Sequence, residues 1–178
     1  MSNKKKTSIL IALILIIPVC LLITDKLTNK KISKLTGLFY LYFTSPKEVT
    51  FDKMLIKFPY NYINNIDNES LVLLKYPNRD TVIIFKKTKL SNAEDFFNDY
   101  TFRIEKLKFT TIKRNSKSIN QNVFFILTAH KSSSSEYKEF VYIPSQQVII
   151  EYLGKENSRI DLWNILQSSS WGSQFRQP

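Results

Sequence analysis

The side chains that most often carry chemistry are scarce in this chain. It holds one histidine, His130, and one cysteine, Cys20. A Ser-His-Asp or Cys-His nucleophile needs a histidine to take the proton. His130 closes the apolar run VFFILTAH, where a structural or solvent-facing role is the simpler reading. A zinc site of His and Cys type is excluded by the same scarcity. Glu94, Asp95 and Asp99 are the one local cluster of acids suited to carboxylate chemistry. They follow Ser91 at the start of a helical pattern, where negative charge complements the helix dipole without any catalytic role. Three glycines are too few for a Gly-rich phosphate loop. No metal, cofactor or catalytic residue is expected. Asn68-Glu69-Ser70 fits an N-glycosylation pattern, a three-residue match that arises often by chance.

Binding chemistry has more candidates. Lys86, Lys87 and Lys89 end one apolar run, and Lys106, Lys108, Lys113 and Arg114 surround another, with Phe102 and Phe109 nearby. Cations interleaved with aromatics suit a polyanion. Lysines on edge strands also guard against aggregation, and that reading is preferred, so no nucleic acid is expected. Tyr60 and Tyr62 are candidate partner contacts, because aromatic residues dominate interface hot spots; core burial is the competing reading.

These residues must be held by something, and charge divides the chain in two. The formal net charge is +11. Residues 1–44 carry seven lysines against Asp25, a net +6, and the remaining +5 is spread over residues 45–178. Thr7 to Thr24 is an uncharged run of eighteen residues behind Lys4, Lys5 and Lys6. As a helix it would be about 27 Å long, close to the ~30 Å hydrocarbon core of a bilayer. A cleaved signal has a shorter apolar region and small residues at the cut, and neither is found here. A lipoprotein signal needs a small residue before its cysteine, and Val19 precedes Cys20. A retained anchor at 7–24 is therefore favoured over a cleaved signal or a lipidated Cys20, with residues 1–6 as a cytoplasmic tail.

Lys26, Lys30, Lys31 and Lys34 lie beyond that run and are candidate contacts for lipid headgroups. Residues 25–46 form a juxtamembrane helix or linker. Ile32, Leu35, Leu38, Phe39 and Tyr42 fall at helical spacing, which suits either the headgroup region or packing on a domain.

Residues 47–172 read as one globular domain and 173–178 as a flexible tail. VTFDKMLIKFP (49–59) alternates as a strand, and 61–69 is a polar turn region. LVLLKY (71–76) and TVIIFKK (81–87) are strands joined by Pro77-Asn78-Arg79-Asp80 as a hairpin. Ser91 to Glu94 reads as a capping box, followed by Phe96, Phe97, Tyr100, Ile104 and Leu107 on one helical stripe. Strands then follow at 109–114, 123–130, 137–144 and 147–154. A last helix is capped by Ser158 and points Ile160, Leu162, Trp163 and Leu166 inward. The order predicts an α+β fold. An N-terminal transmembrane helix precedes an antiparallel β-sheet of about six or seven strands, covered by two amphipathic helices.

The segments FVYIPSQQVIIEYLG and RIDLWNILQSSSW, with Ser168 and Trp171 at the close, resemble the end of PsbP-like domains, including DcrB-type lipoproteins. IKFPYNY resembles that family's first strand, although Tyr60, Asn61 and Tyr62 stand where the family has Gly-Trp. The resemblance covers roughly residues 50–171 and implies a binding or assembly factor, with no catalytic residue to carry over. The expectation is a single-pass domain anchored in the bacterial inner membrane. It faces outward, binds membrane lipid through its N-terminal segment, and has an envelope protein as partner. A membrane-held immunity-type inhibitor of a toxin and a carboxylate-dependent hydrolase are the alternatives.

Overall fold

The computed structural model describes residues 31–44, 46–131 and 136–171. The expected anchor at 7–24, Cys20, Lys26, Lys30 and the tail at 173–178 lie outside the described residues. Among the described residues no helix is long and apolar enough to cross a membrane. The chain divides into two units between Thr44 and Ser45. The first contributes one described helix, α1 (Lys31–Thr44).

The second unit is α+β. Its elements in order are β1 (Glu48–Phe51), β2 (Met54–Lys57), β3 (Tyr62–Ile66), β4 (Ser70–Lys75), β5 (Val82–Lys87), α2 (Ala93–Lys106), β6 (Thr111–Ile119), β7 (Asn122–His130), β8 (Tyr137–Ile143), β9 (Val148–Gly154), α3 (Arg159–Ser168) and β10 (Ser170–Trp171). A seven-stranded antiparallel sheet runs in the order β3-β4-β5-β9-β8-β7-β6. A separate sheet of three strands has the order β1-β2-β10.

Local chemistry explains most turns and corrects several boundaries. The single strand expected at 49–59 is a hairpin, because Asp52 takes a left-handed φ of 53° and turns β1 back onto β2. Asp is among the residues that tolerate this conformation. The polar region 61–69 is not only a turn: Tyr62–Ile66 is strand β3. It is an edge strand with one neighbour, and Asn64 and Asn65 interrupt its apolar residues Tyr62, Ile63 and Ile66. Asp67 makes the turn into β4, its carboxylate accepting from the backbone N–H of Glu69 (2.8 Å) and Ser70 (2.6 Å). Those bonds hold its carboxyl below the usual range. Asn120 and Gln121, both with positive φ, form the two-residue link between β6 and β7 that matches strand twist.

One helix cap differs from the expected one by a residue, and the other falls where expected but makes no side-chain bond. Asn92, not Ser91, caps α2: its side chain accepts from the Asp95 N–H (2.8 Å). Ser158 makes no capping hydrogen bond at α3, which is entered through a 3-10 turn at Glu156–Ser158.

The seven-stranded sheet has two faces. The first packs against α3 and the small sheet, burying Phe124, Ile126, Val141, Ile150 and Tyr152 with Leu162, Ile165, Leu166 and Trp171. The second packs Leu127, Ala129, Phe140, Tyr142 and Ile149 against Phe96, Tyr100 and Ile104 of α2. Each Val, Leu, Ile or Phe side chain among them contributes about 1.5–3 kcal/mol when fully buried. Leu107 and Ile160, expected to point inward, are exposed instead. Leu107 is the residue that ends α2, and Ile160 lies on the outer side of α3.

Candidate functional site

Titratable side chains converge at one place, beneath the N-terminal turn of α3. Strand alternation turns Tyr137, Glu139, Val141 and Ile143 of β8 to the first face of the sheet. Glu139 is 0% exposed. Its Oε2 accepts a short hydrogen bond from the Tyr137 hydroxyl and lies 3.2 Å from Arg159 Nε. Burying a carboxylate costs several kcal/mol unless it is paired. The pairing here is partial, and burial holds the Glu139 carboxyl above its ordinary range despite Tyr137 and Arg159. Trp163 Nε1 is within electrostatic reach of the carboxylate but outside hydrogen-bond geometry, so that nitrogen and Glu139 Oε1 have no partner. Burial, then the hydrogen bond to Glu139, pushes the Tyr137 hydroxyl up.

A second polar group sits beside it on α3. Asp161 Oδ2 accepts from Lys75 Nζ (2.7 Å) and the Tyr62 hydroxyl (2.9 Å), tying α3 to β4 and β3. His130 stacks edge-on to Tyr137, with ring centroids 4.8 Å apart, and lies 3.8 Å from Glu156. The cluster therefore has an acid, a tyrosine and a histidine; Glu139 and Tyr137 are buried, whereas the His130 and Arg159 side chains reach solvent. A cleft of about 490 Å³ opens at the same end of the sheet, lined by Arg79, Asp80, Glu136, Lys138 and Lys155; Glu139 does not line it. The arrangement locks α3 onto the sheet.

The structure separates the residues singled out from sequence. Tyr62 is 0% exposed and bonded to Asp161, so it is a core group and not a surface contact. Tyr60 is 41% exposed. Lys31 and Lys34 lie on α1, with Lys34 exposed. Asp95 completes the α2 cap by accepting from Asn92 Nδ2 (2.7 Å), and Asp99 pairs with Arg103 (2.9 Å). Those acids serve the helix. Among the described residues no three His, Cys, Asp or Glu side chains assemble a metal site. Trp171 donates to the Leu166 carbonyl (3.2 Å) and closes the core.

The basic residues are largely engaged with rings. Lys106 lies over Phe102 (4.2 Å), Arg114 over Phe97 (5.3 Å), Lys117 over Trp163 (4.8 Å) and Lys138 over Phe109 (5.1 Å). Lys86 pairs with Glu151 (2.9 Å) and Lys87 with Asp52 (3.4 Å). Long cationic side chains here cover apolar surface while keeping their charge in water.

What the residue-by-residue reading missed is a row on the second face. Strand register aligns Ile63 with Leu74, Leu74 with Val82, and Val82 with Leu153, across β3, β4, β5 and β9. Val72 and Ile84 pair in the next row. None of these belongs to either buried cluster; Ile63 is 36% exposed and the others are half-buried. The signal was present: LVLLKY and TVIIFKK are apolar on both faces, as expected of strands covered twice. In comparison with known proteins, no family model and no curated protein matches the chain.

Proposed function

We propose that this protein is a single-pass, membrane-anchored domain of the bacterial cell envelope that acts by binding or assembly outside the cytoplasm. The observation that carries the reading is the contrast between its chemistry-bearing and its open surfaces. Among the described residues, acid, tyrosine and histidine converge only around the buried Glu139, whereas the aliphatic row from Ile63 to Leu153 is only partly buried and belongs to neither core cluster. Contiguous exposed apolar area on a folded domain favours a partner protein. The resemblance of residues 50–171 to PsbP-like and DcrB-type domains supports the same reading.

The test is site-specific photo-crosslinking in intact cells, with the crosslinker replacing Leu74 in the full-length chain and Asn157 as the control position. A discrete adduct from Leu74 and none from Asn157 is the expected result. Equal labelling at both positions, or none at either, removes the partner. Protease added to spheroplasts should digest the domain; a protected domain reverses the topology.

A further inference from the structure

The first unit carries an uncovered surface of its own. On a helix turning 100° per residue, Leu35, Leu38, Phe39, Tyr42 and Phe43 of α1 share one side. Four of them are wide open: Leu35, Phe39 and Phe43 are each 68% exposed and Tyr42 is 48% exposed. Phe39 and Phe43 meet edge-on at 4.9 Å, and Tyr42 and Phe43 at 5.1 Å, so the rings form one continuous cluster. Lys34, Gly37, Tyr40 and Leu41 occupy other sides.

We infer that this side of α1 lies in the plane of the membrane interface, with its rings toward the acyl chains and the flanking lysines toward anionic headgroups. The inference rests on the anchored reading above. Reach names the occupant: only residues 25–30 separate the uncharged run ending at Thr24 from Lys31. Six residues fully extended span at most about 21 Å, so α1 starts close to wherever that run leaves the bilayer. Length fixes the orientation. Fourteen residues make a helix of about 21 Å, too short to cross a hydrocarbon core of about 30 Å. Charge fits as well: Lys26, Lys30, Lys31 and Lys34 crowd this short stretch, with Asp25 the only acid in residues 1–44. Aromatic rings suit the boundary between headgroups and acyl chains.

The experiment uses the full chain carrying Cys20→Ser, with single cysteines placed by Lys34→Cys, Leu35→Cys, Gly37→Cys, Phe39→Cys or Phe43→Cys. Each is labelled with an environment-sensitive fluorophore. The proteins are reconstituted in phosphatidylglycerol–phosphatidylcholine vesicles with and without spin-labelled lipid, and the unsubstituted chain is floated with the same vesicles first. The expected pattern is periodic: blue-shifted emission, lost on adding quenching lipid, at positions 35, 39 and 43 and neither change at 34 and 37. Water-like emission at all five positions in a chain that still floats overturns the inference and leaves the anchored reading standing. Quenching at all five overturns it too, because α1 would then be surrounded by lipid. An unsubstituted chain that does not float overturns both.

Discussion

The two faces of the seven-stranded sheet are built from the same strands and finished differently. The first is closed by α3 and the small sheet, and it is the face on which polar side chains are locked: Tyr62, Asp161 and Lys75 in one group, Tyr137, Glu139 and Arg159 in the other. The second is covered by α2 over β7, β8 and β9 and left half-exposed over β3, β4 and β5. A closed face can hold the buried Glu139 carboxyl because Tyr137, itself buried, donates to it. The open face carries aliphatic side chains, and each Å² of them left in water forgoes about 25 cal/mol of burial. The difference assigns stability to one face and contact to the other, and each assignment can be broken separately.

The largest effect is expected from Phe124→Ala on the closed face. Phe124 is fully buried and meets Trp171 at 5.6 Å and Trp163 at 6.4 Å between centroids. Removing a buried phenylalanine side chain costs about 3–5 kcal/mol. The chain's two tryptophans both pack at this point, so their fluorescence in urea titrations of the detergent-solubilised chain reads the loss directly. A shift below about 1 kcal/mol would mean that the closed face does not dominate stability.

Next comes the pH dependence set by Glu139. Burial raises its carboxyl, against Tyr137, Arg159 and the nearby Trp163, with Glu156 adding to the rise. Between the unfolded and folded pKa values, the folded chain holds a proton that the unfolded chain has released. Stability therefore falls as pH rises through that window, by at most about 1.4 kcal/mol per pH unit from this group. Glu139→Gln keeps the shape and removes the titration. Urea midpoints measured upward from pH 4.5, the unshifted glutamate value, should decline in the parent relative to the variant and then run parallel. Identical profiles in the two chains would show that the carboxylate is not held neutral by burial.

Much of this architecture was legible because it rests on local chemistry. Strand alternation and the stripe Phe96, Tyr100 and Ile104 foretold an antiparallel sheet with helical cover. The misses have nonlocal causes. Residues 62–66 read as a turn because Asn64 and Asn65 break the apolar pattern of Tyr62, Ile63 and Ile66 in a strand at the sheet edge. The hairpin at Asp52 was marked only by a break in phase, Val49 and Phe51 falling one residue out of step with Met54 and Ile56, which a single-strand reading passes over. Glu139 looked like an ordinary charge between Lys138 and Phe140; nothing nearby in sequence foretells Arg159 beside it. Tyr60 and Tyr62 looked equivalent and are not, since a strand sends one to the core and leaves the other outside it. The open row from Ile63 to Leu153 required the register of four strands, and register is a property of the folded sheet.

The smallest effect sharpens the comparison most. Leu74→Ser on the second face replaces a half-exposed leucine whose neighbours across the strands are Ile63 and Val82. Leu74 is partly buried and belongs to neither core cluster, so its substitution should cost only a fraction of the Phe124→Ala loss. The same substitution should nevertheless weaken an adduct formed from a crosslinker at Leu153, because the two residues lie in one row with only Val82 between them. Loss of contact without loss of stability is the signature of a surface that serves a partner. If Leu74→Ser unfolds the domain as readily as Phe124→Ala, the row is part of the core. If it leaves both stability and the Leu153 adduct unchanged, the partner sits elsewhere and the two faces differ only in how completely the chain covers them.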